Sequence, residues 1–167
     1  VTFKPDPSIF TMTKFQFDIL QRRLRELAYL NSGIRIHFKD ERTGTSEEFY
    51  AERGLVEFIE YLNRASETIH SEVVYLKTEA EGVQVEVAFQ YANEYTENLH
   101  SYVNNIHVPS GGTHVSGFRP ALTRCLNAYG KKEEMFKDIT PGGEDFREGL
   151  TAIVSVRVAE PQFSGQT

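Results

Sequence analysis

The feature that most constrains the fold of this chain is a run in which every second residue is apolar. Its apolar positions are Val83, Val85, Val87, Phe89 and Tyr91. Because successive side chains of a strand point to opposite faces, this alternation predicts a strand with one buried face. Residues 150–158 alternate in the same way. The chain is therefore expected to fold around a β-sheet.

Two segments in the first half of the chain have the spacing of amphipathic helices. Apolar residues of the first recur at steps of three and four: Phe17, Leu20, Leu24 and Leu27. This spacing predicts a helix from about Lys14 to Gly33. A hydroxyl of Thr11 or Thr13 is expected to cap its first turn. A shorter helix is predicted over residues 54–62.

A third helix is predicted from Thr113, as its cap, to about Tyr129. Pro120 fits that helix only in its first turn or at an irregularity. The preceding Gly111 and Gly112 suggest an anion site at the helix N-terminus. A loop that needs flexible backbone angles explains the same two glycines. A P-loop is excluded, since no Gly-Lys-Ser/Thr follows at the required spacing.

The remaining segments predict further strands. Residues 34–39 and 45–50 have the pattern of a hairpin, and residues 72–78 and 99–105 have the pattern of two more strands. Strands and helices are partly segregated along the chain, which favours an α+β fold with a mostly antiparallel sheet. All segments are expected to share one core, in a single domain over residues 1–167.

Charge limits the kinds of partner. The chain has a net charge of −6, which argues against a nucleic-acid-binding protein with a broad basic face. Residues 100–137 are nevertheless locally basic, with five Lys or Arg and two Glu. These residues could form a basic strip in the folded protein, although an ordinary solvated helix face explains them equally well.

Several classes of site are not predicted. One cysteine, Cys125, excludes a disulfide framework and is interpreted as packing inside the third helix. The five histidines lack the spacing of a metal site, so no bound metal is expected. No complete catalytic set is visible. No apolar run has the roughly 18 residues of a membrane span, and a cytoplasmic protein is expected.

Several motifs, in the right order along the chain, resemble DNA gyrase B, the ATPase component of a type II DNA topoisomerase. The most specific reads Gly-Gly-Thr-His…Gly-Phe-Arg…Leu-Thr-Arg…Asn, within residues 102–129. The other matching segments are residues 25–33, 60–63, 144–152 and 160–167.

The resemblance implies a transducer domain excised from a longer chain, without the ATP-binding domain before it or the DNA-cleavage region after it. It implies an α+β two-layer sandwich with helices on one face of the sheet and a left-handed β-α-β crossover. The implied function is to couple ATP binding and hydrolysis to the capture and passage of a DNA segment during negative supercoiling. ATP and Mg²⁺ would serve the parent enzyme, while this piece alone would bind neither and be inactive.

The resemblance also implies site residues and partners. Gln166 matches a glutamine that contacts the ATP γ-phosphate beside a lysine that would follow Thr167. The implied DNA contacts are Arg119, Arg124, Lys131 and Lys132. An ion pair between Arg119 and a carboxylate of its own domain is the alternative. The implied partners are double-stranded DNA, the gyrase A protein in an A2B2 assembly and the ATP-binding domain, with the isolated piece a monomer.

Other functions stay open at this point. Topoisomerase IV has a similar component that acts in decatenation, although the Gly-Phe-Arg and Arg-Val-Ala-Glu-Pro segments are more similar to gyrase. A standalone protein-interaction module without catalysis is a further alternative.

Overall fold

The computed structural model describes residues 1–136 and 139–163. Residue contacts divide the chain into two compact units, Val1–Gly54 and Leu55–Thr167. The contacts therefore form two clusters where the sequence analysis expects one core. The wider assignment of residues 1–167 to one transducer domain stays a prediction.

The first unit contains one helix and one hairpin. Helix α1 spans Phe17–Leu30, and strands β1, Ile36–Asp40, and β2, Thr45–Phe49, pair antiparallel. Phe17 stacks on Phe38 with 4.9 Å between ring centroids, which fixes the start of the helix on the hairpin. The predicted elements are thus confirmed.

The start of α1 differs from the prediction. Its capping residue is Gln16, in an extended conformation, and no side chain caps the first turn. Thr11 and Thr13 are therefore not caps, because both lie too far before the first turn to reach its N–H groups.

The second unit is built on a five-stranded sheet. Helix α2, Leu55–Leu62, precedes its first strand, and helix α3, Thr113–Lys132, precedes its last. The strands are β3 (Val74–Ala80), β4 (Val83–Tyr91), β5 (Asn98–Val103), β6 (Ile106–His107) and β7 (Leu150–Arg157). A 3₁₀ turn, Asp145–Arg147, lies just before β7.

The strand order is β3-β4-β7-β5-β6, in which β5 and β7 pair in parallel and the other named neighbours pair antiparallel. Since α3 lies between β5 and β7 in the chain, they form a β-α-β crossover. The α+β class and the mixed, mostly antiparallel sheet are confirmed. Strand β6 was not predicted, because its two residues are too few to show a period. Asn104 and Asn105 turn the chain into it with φ of 48° and 65°.

The two helices of this unit cover opposite faces of the sheet. Helix α3 packs through Leu122 on Leu150 and Ala152. Phe58 of α2 lies 6.2 Å, between ring centroids, from His100 and from Tyr102. The register places both rings on the face opposite Ala152. The prediction of helices on one face is therefore wrong for α2. One physical reason is that β7 is buried on both faces, with seven of its eight residues buried.

A buried polar network ties the end of α2 to the sheet. Asn63 donates to the Oε1 of Gln90 at 3.0 Å, and the Thr151 hydroxyl donates to the Oδ1 of Asn63 at 2.7 Å. The three residues are 4–5% exposed. Their hydrogen bonds satisfy groups that would otherwise be costly to bury.

Candidate nucleic-acid interface

Helix α3 carries the four predicted DNA contacts, Arg119, Arg124, Lys131 and Lys132. Gly112 precedes the helix without a side-chain cap, so Thr113 is its first residue rather than its cap. The helix continues through Pro120, which lies well beyond the first turn. The Ser116 carbonyl consequently receives no N–H from residue 120.

Arg119 is turned toward the body of the unit. Its Nε and Nη2 donate to the two carboxylate oxygens of Glu97 at 3.0 and 2.7 Å. This ion pair is the alternative that the sequence leaves open for Arg119. At about 100° per residue, Arg119 and Arg124 lie about 140° apart around the helix. The structure therefore does not bring all four cations to one face.

A second arginine reaches the same carboxylate from another segment. Arg147 has its Nε 3.8 Å from Glu97 and its Nη2 3.9 Å from Glu144. The Tyr91 hydroxyl donates to the Phe146 carbonyl at 2.6 Å, which fixes the turn that carries Arg147. Burial raises the pKa of Tyr91, so its hydroxyl remains a donor at neutral pH. We call Glu97, Arg119 and Arg147 the Glu97 cluster.

The other three cations form an exposed strip. Arg124, Lys131 and Lys132 are all exposed. Arg124 and Lys131 lie seven residues apart, which is about 10 Å along the helix and about 20° around it. Lys132 is 3.9 Å from Glu133, a surface pair of small energetic weight. We call these three residues the α3 basic strip.

Two small residues, Gly117 and Ala128, lie on α3 near the α3 basic strip. Gly117 faces open space, and Ala128 is exposed one turn beyond Arg124. Such residues allow another molecule to approach the helix closely. Cys125 is also exposed, so the expectation that it packs inside the fold is wrong. It directly follows Arg124 in the helix.

A cleft of about 870 Å³ lies at the N-terminus of α3. Gly111 has a φ of +71°, the conformation that the loop interpretation requires. His114 lines the cleft, and burial lowers its pKa. Its Nε2 is buried without a hydrogen-bond partner among the described residues. An anion site here stays a prediction.

Two expected features cannot be placed on the structure. Gln166 lies outside the described residues. Within residues 1–136 and 139–163, no group of three or more His, Cys, Asp or Glu could hold a metal ion. The prediction that this chain itself binds no metal stays a prediction. No helix of these ranges is long and apolar enough to cross a membrane.

Sequence reasoning does not single out Glu97 or Arg147 as site residues. Glu97 lies just before β5, among residues 66–99 with seven acidic residues and one lysine, where nothing marks it from its neighbours. Arg147 stands out only as part of a matching motif. Their relation to Arg119 becomes visible in the folded structure, where the three side chains lie close together.

Comparison with known proteins agrees with this architecture. The DNA gyrase B family model matches residues 54–167, which coincide almost entirely with the second unit. The DNA gyrase B protein of Halalkalibacterium halodurans is 50% identical over 100% of this chain. The chain spans 27% of that relative's length.

Solved structures show the same fold. The 43K ATPase domain of Thermus thermophilus gyrase B, solved with an aminocoumarin, matches with a TM-score of 0.87 and 36% identity. That match covers 98% of this chain and 45% of the other. The topoisomerase IV ATP-binding domain of Francisella tularensis, solved with a small-molecule inhibitor, matches 98% of this chain and 44% of its own. Its TM-score is 0.78 and its identity 26%. Because the family model covers more than half of the sequence, the chain belongs to the DNA gyrase B family.

Proposed function

We propose that this chain supplies the transducer domain of an ATP-driven type II DNA topoisomerase. Its role would be to couple ATP binding and hydrolysis in a neighbouring domain to the capture and passage of a DNA segment during negative supercoiling. The observation that carries this proposal is the match of residues 54–167 to the DNA gyrase B family model.

The α3 basic strip is the proposed DNA-contact surface. Its three cations are exposed on one helix, and the small residues beside them leave room for a sugar-phosphate backbone. Lys and Arg contacts to phosphate position a protein on DNA without reading its sequence. A passage step requires such contacts, because the captured segment can have any sequence.

ATP and Mg²⁺ would be held by the neighbouring domain, with Gln166 reaching the γ-phosphate. A polar donor at that position distinguishes ATP from ADP by the presence of one phosphoryl group. The role of Gln166 rests on the resemblance of residues 160–167 to the family. This chain's own contribution would be to sense the nucleotide through Gln166.

The proposed assembly follows from the same family. The partners would be double-stranded DNA, the ATP-binding domain and the gyrase A protein, in an A2B2 enzyme of the cytoplasm. The isolated 167-residue chain would be a monomer and inactive. Sedimentation of the purified chain tests the monomer, and a stable dimer would contradict it.

Gyrase is favoured over topoisomerase IV as the parent enzyme. Among the solved structures, the gyrase B domain of Thermus thermophilus is 36% identical to this chain, against 26% for the topoisomerase IV domain. A standalone interaction module is the less favoured function, because the relatives that contain a similar sequence are much longer proteins.

The DNA-contact role is tested by the triple variant Arg124→Ala, Lys131→Ala and Lys132→Ala. Three lost phosphate contacts should lower the slope of log K against log salt by about 3, and the affinity for duplex DNA roughly 500-fold at about 0.1 M salt. Fluorescence anisotropy with a labelled duplex at several salt concentrations measures both quantities.

A control triple removes the same charge from the other side of the sheet. Its three cations, Arg64, Lys77 and Arg157, are all exposed. Lys77 and Arg157 lie on the sheet face that α2 covers, and Arg64 follows α2 and donates to its Tyr61 carbonyl. Their replacement by alanine should change the affinity less than about twofold. Equal weakening by both triples would show that net charge, rather than the α3 basic strip, binds the DNA.

A further inference from the structure

Glu97 holds Arg119 in a fixed orientation. Its two carboxylate oxygens accept from the Nε and Nη2 of Arg119, so one whole edge of the guanidinium is engaged. The Glu97 side chain is 19% exposed, which shields this pair from solvent on the carboxylate side. A two-point contact of this kind fixes the guanidinium plane as well as its distance.

The opposite edge of the same guanidinium is available. Among residues 1–136 and 139–163, the Nη1 of Arg119 has no hydrogen-bond partner, and the Arg119 side chain is 42% exposed. Arg119 therefore presents its free N–H groups to solvent from a position that is already set. An anion that meets this edge need not order the side chain first.

Glu97 is itself held in place. It directly precedes β5, whose first residue, Asn98, pairs with β7. Upstream, the Ala92 N–H donates to the Gly149 carbonyl at 2.9 Å, which fastens the turn that leads to Glu97. Arg147 adds a second positive charge 3.8 Å from the carboxylate.

The Glu97 carboxylate could either orient Arg119 toward an anion or compete with that anion, and the net charge of the Glu97 cluster distinguishes the two roles. One glutamate faces two arginines, so the cluster keeps a net positive charge and still attracts an anion. If Glu97 only competed with a phosphate for Arg119, its negative charge would be expected to cancel the positive charge of the cluster. Glu144, whose carboxylate lies 3.9 Å from Arg147, is 97% exposed, so solvent screens its charge.

We propose that Glu97 is a positioning residue for DNA binding, which orients Arg119 so that its Nη1 edge meets a backbone phosphate of a duplex. This inference rests on the proposed function and adds to the α3 basic strip a separate contact about 140° around the helix. It predicts that the contribution of Arg119 to DNA binding depends on Glu97.

The test is a double-mutant comparison on duplex DNA binding by the whole chain at about 0.1 M salt. Arg119→Ala alone should weaken binding about eightfold, the loss expected for one phosphate contact. In the Glu97→Ala background the same change should weaken binding less than about twofold. In the Glu97→Gln background, which keeps one acceptor oxygen, the effect should be intermediate, at about fourfold.

Glu86→Ala is the matched control. Glu86 is 21% exposed and pairs with Lys77 at 3.9 Å on the opposite face of the sheet. The loss of its charge should leave the effect of Arg119→Ala at about eightfold. A role of Glu97 in stability alone would not make the Arg119 effect depend on the background. Urea unfolding midpoints show whether each variant is folded. If Glu97→Ala is unfolded, the Arg119→Ala effect in the Glu97→Gln background is the test.

Two results would overturn the inference. An Arg119→Ala effect that is as large or larger in the Glu97→Ala background would show that the carboxylate does not position the arginine. An unchanged affinity on Arg119→Ala alone, with binding by the triple variant of the α3 basic strip still weakened, would reject the inference and leave the proposed function standing. If neither change weakens binding, the DNA-contact surface of the proposed function is rejected as well.

Discussion

Replacement of Gly149 by alanine is expected to lower the free energy of unfolding by about 4 kcal/mol. Gly149 has a φ of +72°, and an added Cβ would lie 2.4 Å from the Ala92 carbonyl oxygen and 2.9 Å from that of Glu94. Both atoms belong to the backbone, so a side-chain rotation cannot relieve the overlap. The turn that leads to Glu97 would have to move away from the start of β7.

Gly82→Ala separates the strain of the backbone angle from the overlap. Gly82 has a φ of +77°, but nothing lies within 4 Å of its added Cβ. Its replacement should destabilise the fold by only about 1 kcal/mol, the cost of a left-handed conformation. Urea unfolding followed by circular dichroism measures both variants. Equal destabilisation of the two would show that the close approach at Gly149 has no effect on stability.

The sequence predicts most elements of the fold because their periods are local properties. Strand β4 has its predicted limits, 83–91, because five alternating apolar residues determine which face of the strand is buried. The arrangement of the elements was less predictable. Leu150–Arg157 has the pattern of a strand with one apolar face, but its Thr151 and Ser155 are buried too. These two polar residues are buried because α2 packs against the second face, and the local sequence pattern does not show that contact.

The candidate site was predictable in part for a similar reason. Helical spacing correctly separates Arg119 from Arg124 by about 140°. The exposed location of Arg124 and Lys131 follows from the same spacing, because both lie on the opposite side of the helix from Leu122. Glu97 could not be predicted, because its contact with Arg119 joins residues 22 positions apart through the fold.

The buried amide of Asn63 should contribute about as much to stability as Gly149. Asn63→Ala removes the acceptor of the Thr151 hydroxyl and the donor to Gln90. Two buried polar groups are then left without partners, at about 1–3 kcal/mol each. Urea unfolding should therefore show a loss of about 4 kcal/mol. A loss under about 1 kcal/mol would mean that water replaces the amide.

Asn63→Asp tests the donor to Gln90 separately, through its pH dependence. An ionised carboxylate still accepts from Thr151, but its second oxygen would face the Gln90 Oε1 and repel it. Burial raises the pKa of such a carboxyl in the folded state above its unfolded value of about 4. The folded variant therefore binds a proton more tightly than the unfolded one, and its stability falls as pH rises from about 4 to the folded pKa.

The protonated form of that introduced carboxyl can again donate a hydrogen bond to Gln90, as the native amide does. The deficit in unfolding free energy relative to wild type should consequently be smaller at about pH 4 than at about pH 7. Urea unfolding of both proteins at the two pH values measures this difference, and the wild-type curves remove the pH dependence of all other groups. A deficit that is the same at both pH values would show that the hydrogen bond to Gln90 does not stabilise the junction between α2 and the sheet.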